Sequence, residues 1–222
     1  RRGIARGAYR LLEAADVDFG LLADETCCGH PSHVAGDLDA ARAALERNVA
    51  EIEKTGATRV VFACPGCLSM FRNAGPELLG RPLPFEVLHV TEILTERLAA
   101  GLRFRKQSRI VTYHDPCNLG RGLGIYEAPR RAVDAVPGVK RVEMTRTKAR
   151  SFCCGNGGFV RYGYEPMAIE NEGTRLEEAI ATGADLLVSA CPACQIAFLD
   201  AKRRGKAAID VLDVVEWLAG DV

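Results

Sequence analysis

The chain has 222 residues, 48% of them hydrophobic, and its 29 Lys plus Arg balance 29 Asp plus Glu. That much apolar mass builds one large domain or two small ones and excludes general disorder, while the balanced charge argues against a surface made to bind nucleic acid. No stretch approaches the ~18 apolar residues that span a bilayer, and no charged-then-apolar secretory signal opens the sequence, so the expected location is cytoplasmic.

In chain order, Ile4 to Ala15 carries apolar residues at 4, 8, 11, 12 and 15, a helical stripe. A short extended run is expected from Asp18 to Leu22, leading toward Cys27. Leu38 to Lys54 reads as a long amphipathic helix with Leu38, Ala41, Leu45, Val49 and Ile52 on one face and Gly56 as its stop. Thr58 to Ala63 is a buried strand, Cys64-Pro65-Gly66-Cys67 opens a helix, and Phe85 to Val90 is a strand followed by a helix from Thr91 to Ala100. Gly101 to Ser108 is the expected linker. Beyond it come a strand (Arg109 to Tyr113), a helix (Tyr126 to Val136), a strand (Lys140 to Met144), a helix (Met167 to Thr182), a strand (Asp185 to Ala190) and a helix (Cys194 to Lys202). Strands alternating with helices predict α/β units with mostly parallel sheets.

The nine cysteines stand at 27, 28, 64, 67, 117, 153, 154, 191 and 194. An odd number in a long chain fits a disulfide framework poorly. Adjacent pairs (Cys27/Cys28, Cys153/Cys154), each followed about 36 residues later by Cys-x-x-Cys (Cys64/Cys67, Cys191/Cys194), read instead as soft-metal ligands.

The same spacing exposes an internal duplication. Cys27-Cys28-Gly29 and Cys153-Cys154-Gly155 lie 126 positions apart, and Cys64-Pro65-Gly66-Cys67 and Cys191-Pro192-Ala193-Cys194 lie 127 apart. Gly56-Ala57 answers Gly183-Ala184, and Phe71 answers Phe198. Two copies make a duplicated domain rather than a solenoid. Repeats are expected over 1–104 and 105–222, in a pseudo-symmetric, Rossmann-like α/β arrangement. Cys117 has no counterpart in the first half; it would fall ahead of Arg1, so the polypeptide is expected to extend upstream and to carry a cysteine there.

Sites in open α/β folds gather at strand carboxyl ends, where Cys64, Cys117 and Cys191 are expected. A helix amino terminus favours the ligating thiolate over the thiol, and Pro65 and Pro192 fit a first turn, where the missing N–H costs nothing. The glycines after each pair allow backbone to approach a bulky group. A tetrahedral zinc site needs only four thiolates, and adjacent cysteines converge awkwardly on one ion. An iron–sulfur cluster has several irons, so the five cysteines of the second half favour it there. For the four of the first half, zinc, a cluster and an empty site all remain open.

These motifs resemble the cysteine-rich CCG domain family: a cysteine, then Cys-Cys-Gly, then Cys-x-x-Cys. The second half matches in full through Cys117, Cys153-Cys154-Gly155 and Cys191-Pro192-Ala193-Cys194, and the first from Cys27-Cys28-Gly29 through Cys64-Pro65-Gly66-Cys67. Thr112-Tyr113-His114-Asp115-Pro116-Cys117 and Phe152-Cys153-Cys154-Gly155-Asn156-Gly157-Gly158 look most like the heterodisulfide reductase D-like branch.

The resemblance implies an oxidoreductase whose halves face each other about a pseudo-twofold axis. Each motif would hold a non-cubane 4Fe–4S cluster, and a disulfide would be cleaved between them. It implies Cys117, Cys153, Cys154, Cys191 and Cys194 as ligands of one cluster, and Cys27, Cys28, Cys64 and Cys67 of the other, which zinc would replace if the first half holds no cluster. Flavoprotein and ferredoxin-like electron-transfer subunits and a membrane-anchored subunit are the implied partners. Two other readings remain: an electron-relay subunit of a glycolate- or lactate-type hydroxyacid oxidase, and a scaffold with structural zinc.

Beside the cysteines, His30, His33 and His114 are candidate proton donors or tuning groups, against a role as hydrogen-bonded loop histidines. Arg121 and Arg161 are candidate anion contacts, against solvated surface arginines. The charged run Arg141 to Arg150 reads as a solvated face, and Trp217 as core or a subunit contact.

Overall fold

The computed structural model describes residues 2–220 and 222. Helix α1 (Arg2–Ala14) opens the chain, followed by a loop containing Cys27 and Cys28, a short α2 (His30–Ala35) and the long α3 (Leu38–Thr55). The Asp37 side chain caps α3 by accepting the Ala40 N–H at 3.0 Å, and Gly56 ends the helix at φ +70°. Strand β1 (Arg59–Phe62) feeds a helical run made of α4 (Pro65–Ser69), a π-helical segment (Met70–Ala74) and α5 (Gly75–Leu79). β2 (Glu86–His89) and α6 (Val90–Ala99) complete the first half. The run from Asp18 to Leu22 belongs to no helix or strand. This run pairs with no strand, and Phe19 is held through its ring, packed edge-on against Tyr9 at 5.2 Å.

The second half contains β3 (Arg109–His114), α7 (Glu127–Asp134), β4 (Val139–Val142), a 3-10 turn (Lys148–Arg150), α8 (Val160–Gly163), α9 (Glu165–Ile180), β5 (Leu186–Ser189), α10 (Pro192–Gly205), β6 (Asp210–Asp213) and α11 (Val214–Leu218). Its four strands form one parallel sheet in the order β4-β3-β5-β6, and β1 pairs with β2 in a parallel pair. The register aligns His114, Ser189 and Asp213 in a row across the carboxyl edge of the larger sheet.

The repeat read from the motifs is present in three dimensions. α3, β1, the helix after Cys64, β2 and α6 recur as α9, β5, α10, β6 and α11. The halves also grip each other reciprocally: α1 lies on α11, and α6 lies on α7. α1 comes so close that a Cβ on Gly7 would meet the Val215 carbonyl oxygen at 2.9 Å, which is why this buried helix position is a glycine. One core runs through both halves, with Leu11, Leu45 and Phe71 joined to Val111, Val188 and Leu218. Trp217 belongs to that core, with its indole N–H donating to Gln107 Oε1 at 3.2 Å. The connector after α6 has no helix or strand from 102 to 108, but Leu102 and Phe104 are buried and anchor it.

No helix among the described residues is long and apolar enough to cross a membrane.

Candidate metal centres

Both Cys-x-x-Cys motifs sit where a strand gives way to a helix. Cys64 and Cys191 are extended N-caps, Pro65 and Pro192 start the helices, and Cys67 and Cys194 lie in the first turn. The Cys-Cys-Gly loops reach them because Gly29 (φ +84°) and Gly155 (φ +81°) turn the chain through the left-handed region. A Cβ on Gly29 would lie 2.8 Å from the Ala41 carbonyl oxygen, and one on Gly155 2.5 Å from that of Ala168, so each loop is pressed against its following long helix at an equivalent position.

All nine cysteines are free of disulfides. In the first half, the Cys67 thiol interacts with both Cys28 and Cys64. That contact lowers the Cys28 thiol to about 7 and the Cys64 thiol to about 6, while the Cys67 thiol is pushed up as the shared partner. The second half repeats the wiring. The Cys194 thiol interacts with Cys154 and Cys191, and Cys153 also interacts with Cys154. Cys154 is thereby lowered well below an ordinary thiol, and Cys153 and Cys194 are raised. Cys117 interacts electrostatically with Cys154 and Cys191, although burial is the main reason its thiol is raised. Thus the structure gathers all five cysteines of the second half. In the first half it gathers Cys28, Cys64 and Cys67, and leaves Cys27 exposed.

The donor set suits a soft, sulfur-seeking group. Sulfurs from three separate segments meet in the second half, with Cys154, Cys191 and Cys194 packed into an apolar core beside Leu187 and Phe198. A nitrogen of His114 and the sulfurs of Cys154 and Cys194 lie within 4.8 Å of one another. The Gly155 N–H donates to Cys153 Sγ at 3.3 Å.

The supporting shell was largely invisible in the sequence. Arg130 and Asp115, each with a side chain only 2% exposed, form a two-pronged ion pair at 2.6 and 2.8 Å. Burial alone would raise the Asp115 carboxyl, but Arg130 and the Lys148 N–H (2.8 Å) outweigh it and hold it low. The Asp115 carbonyl accepts the Ser151 hydroxyl at 3.0 Å. One residue therefore ties the approach to Cys117 to the approach to Cys153.

His89 and Asp213, at equivalent strand ends, cap α6 and α11 by accepting the N–H groups of Thr91 and Val215. Asp213, paired with Ser189 at the strand end that leads to Cys191, also feels the charge of Cys64. Burial raises its pKa well above the usual carboxylate range. The sequence did hold a trace of the second cap: Asp213 followed three residues later by Glu216 is a helix-start pattern.

The two sets adjoin. His30, next to the first Cys-Cys-Gly, has its Nε2 3.4 Å from the Asn118 amide, which follows Cys117. Asn73 donates to the Gly122 carbonyl at 3.0 Å.

Other candidates are already engaged. Arg161 is ion-paired with Glu172 and Asp200, and Arg121 donates to the Ser151 carbonyl at 2.6 Å. In the charged run, Arg141 pairs with Asp134, Lys148 with Glu127, and Arg146 with Glu178 while covering the Phe152 ring at 4.0 Å.

The family model of the CCG cysteine-rich domain matches residues 3–72 and 111–199. The chain belongs to the CCG family. Among its relatives are the dihydromethanophenazine:CoB–CoM heterodisulfide reductase subunits D of Methanosarcina barkeri (39% identity) and Methanosarcina acetivorans (40%), each aligned over 97% of this chain and 54% of the relative. The EtfAB:quinone oxidoreductase of Syntrophomonas wolfei is 31% identical over 97% of this chain and 31% of its own length. The chain thus spans about half the length of the heterodisulfide reductase subunits it resembles.

Proposed function

We propose that this chain is the cysteine-rich part of an iron–sulfur oxidoreductase subunit of the heterodisulfide reductase D type, reducing a disulfide or relaying electrons to a partner subunit. The observation that carries the reading is the repeated sulfur wiring. Cys28–Cys67–Cys64 and Cys154–Cys194–Cys191 are the same triplet of mutually interacting thiols in two adjoining places.

In this reading Cys117, Cys153, Cys154, Cys191 and Cys194 hold a non-cubane 4Fe–4S cluster, and Cys27, Cys28, Cys64 and Cys67 hold a second cluster or zinc. When bound, such a cluster supplies one-electron transfer. The protein's own part is to present the sulfurs, to exclude water with the core around Leu187 and Phe198, and to fix the loops through Arg130 and Asp115. Asp213 and the His30–Asn118 contact lie where the two sets adjoin, the place a disulfide would enter. The same proposal includes the division into repeats 1–104 and 105–222, flavoprotein and ferredoxin-like electron donors, a membrane-anchored partner and a cytoplasmic location. The Syntrophomonas relative, named as an EtfAB:quinone oxidoreductase, supports the form of the reading in which the chain relays electrons.

The test is purification without oxygen, iron and sulfide reconstitution, metal analysis, and electron paramagnetic resonance with and without a thiol or disulfide. Iron, acid-labile sulfide and a signal altered by the added sulfur compound are expected. Zinc in place of iron would return the chain to a structural role.

A further inference from the structure

His114 sits inside the second cysteine set, and its proximity to Cys154 and Cys194 makes it look like a metal ligand. Its other contacts point elsewhere. Arg175, on α9 and fully buried, donates its Nε–H to His114 Nδ1 at 3.1 Å. An arginine Nε is always a donor, so Nδ1 must be an acceptor and the ring's hydrogen must sit on Nε2. Arg175 is itself held by Glu178 (2.7 Å) and by the Ser151 hydroxyl (3.3 Å). The Phe198 ring, edge-on at 4.8 Å between centroids, fixes the imidazole plane. An imidazole nitrogen lies within 4.8 Å of the Cys154 sulfur, and with Nδ1 committed to Arg175 the nitrogen that carries a hydrogen to offer it is Nε2.

We infer that His114 is not a ligand but a positioning residue, pinned by Arg175 as an N–H donor to the Cys154 sulfur, and that it tunes the redox centre of the second repeat upward in potential. The inference rests on the iron–sulfur reading for its redox consequence, but not for the direction of the hydrogen bond. An N–H directed at a ligating sulfur stabilises the added negative charge of the reduced state, and such outer contacts also fix which nitrogen carries the hydrogen. The device is asymmetric. At the position of α3 equivalent to Arg175 stands Asn48, which instead holds the Cys27 carbonyl at 3.0 Å and the Thr26 hydroxyl at 3.2 Å. The two centres, built on the same sulfur wiring, are therefore set to different potentials.

Two measurements decide the matter. In the metal-free full chain kept under reducing conditions, imidazole 15N shifts, with His114 assigned by its loss in His114→Gln, should show the neutral Nε2–H form. An Nδ1–H form or an imidazolium overturns the inference whether or not the chain takes up iron. In the reconstituted full chain, redox titration followed by electron paramagnetic resonance should show a lower midpoint potential for the second-repeat centre in His114→Leu. His114→Gln, which keeps an N–H donor, should stay near the parent, and Arg175→Met should fall between. An unchanged potential in His114→Leu at equal iron content, or equal shifts in the Leu and Gln variants, refutes the tuning role. Failure of the parent to bind iron refutes the function proposed above instead, and the 15N result still decides the direction of the hydrogen bond.

Discussion

Arg130→Met is the most revealing single substitution for the scaffold behind the second cysteine set. It removes both bonds to Asp115, both bonds to Glu143 (2.8 and 3.1 Å) and the bond to the Tyr126 carbonyl (2.9 Å), while nearly preserving side-chain bulk. Glu143 is 38% exposed and recovers its water, so its loss contributes little. Asp115 is 2% exposed and keeps only the Lys148 N–H on its carboxylate, so an uncompensated charge remains buried. Breaking such a pair from one side costs about 3–5 kcal/mol. That is a large part of the ~5–15 kcal/mol that holds a domain folded. Adding Asp115→Asn removes the stranded charge while leaving an amide oxygen for Lys148, so the double variant should recover roughly 1–3 kcal/mol relative to Arg130→Met. Urea unfolding of the iron-free protein at pH 7, followed by circular dichroism, reads both values. A loss under about 1 kcal/mol for Arg130→Met, or a double variant less stable than the single, would refute the claim that this pair pins the two loops.

Further outcomes follow from the same structure. Gly155→Ala should lower the melting temperature far more than Gly36→Ala. Both sites have positive φ (+81° and +85°), but only Gly155 faces a carbonyl 2.5 Å away, so the control should cost about 1 kcal/mol of backbone strain alone. His89 is held neutral by burial, its pKa lowered to about 3, and its Nδ1 accepts the Thr91 N–H that caps α6. The unfolded chain takes up a proton near pH 6.5 and the folded one does not until about 3, so stability falls as pH drops through this window, by about 1.4 kcal/mol per unit. His89→Gln should flatten the difference in unfolding free energy between pH 6 and pH 4.5, and an unchanged slope would contradict the neutral buried ring. Among single cysteine variants, iron content after reconstitution should drop most in Cys154→Ser and least in Cys27→Ser, because Cys154 is buried at the hub of its set and Cys27 is exposed. A larger loss from Cys27→Ser would show that the loop carrying it closes on a bound metal.

The sequence by itself determined the duplication, the two cysteine sets, five of the six strands among the described residues and the longer helices, but it did not mark α2, α8 or β6. Spacing is a one-dimensional property, and the offset between motifs survives in the chain whatever the fold does with it. Hydrophobic periodicity likewise marked α3, β1 and β5, because burial of one face must be written locally. The run from Asp18 to Leu22 joins no sheet, because a strand exists only through pairing, and pairing is decided at long range. Tertiary structure alone decided the shell. That Arg130 faces Asp115, that Arg175 fixes His114, and that His30 meets Asn118 depend on three-dimensional approach between segments 15 to 88 residues apart. A charged residue on a helix reads as a surface residue until its partner is placed, because only a buried partner offsets the cost of taking that charge out of water.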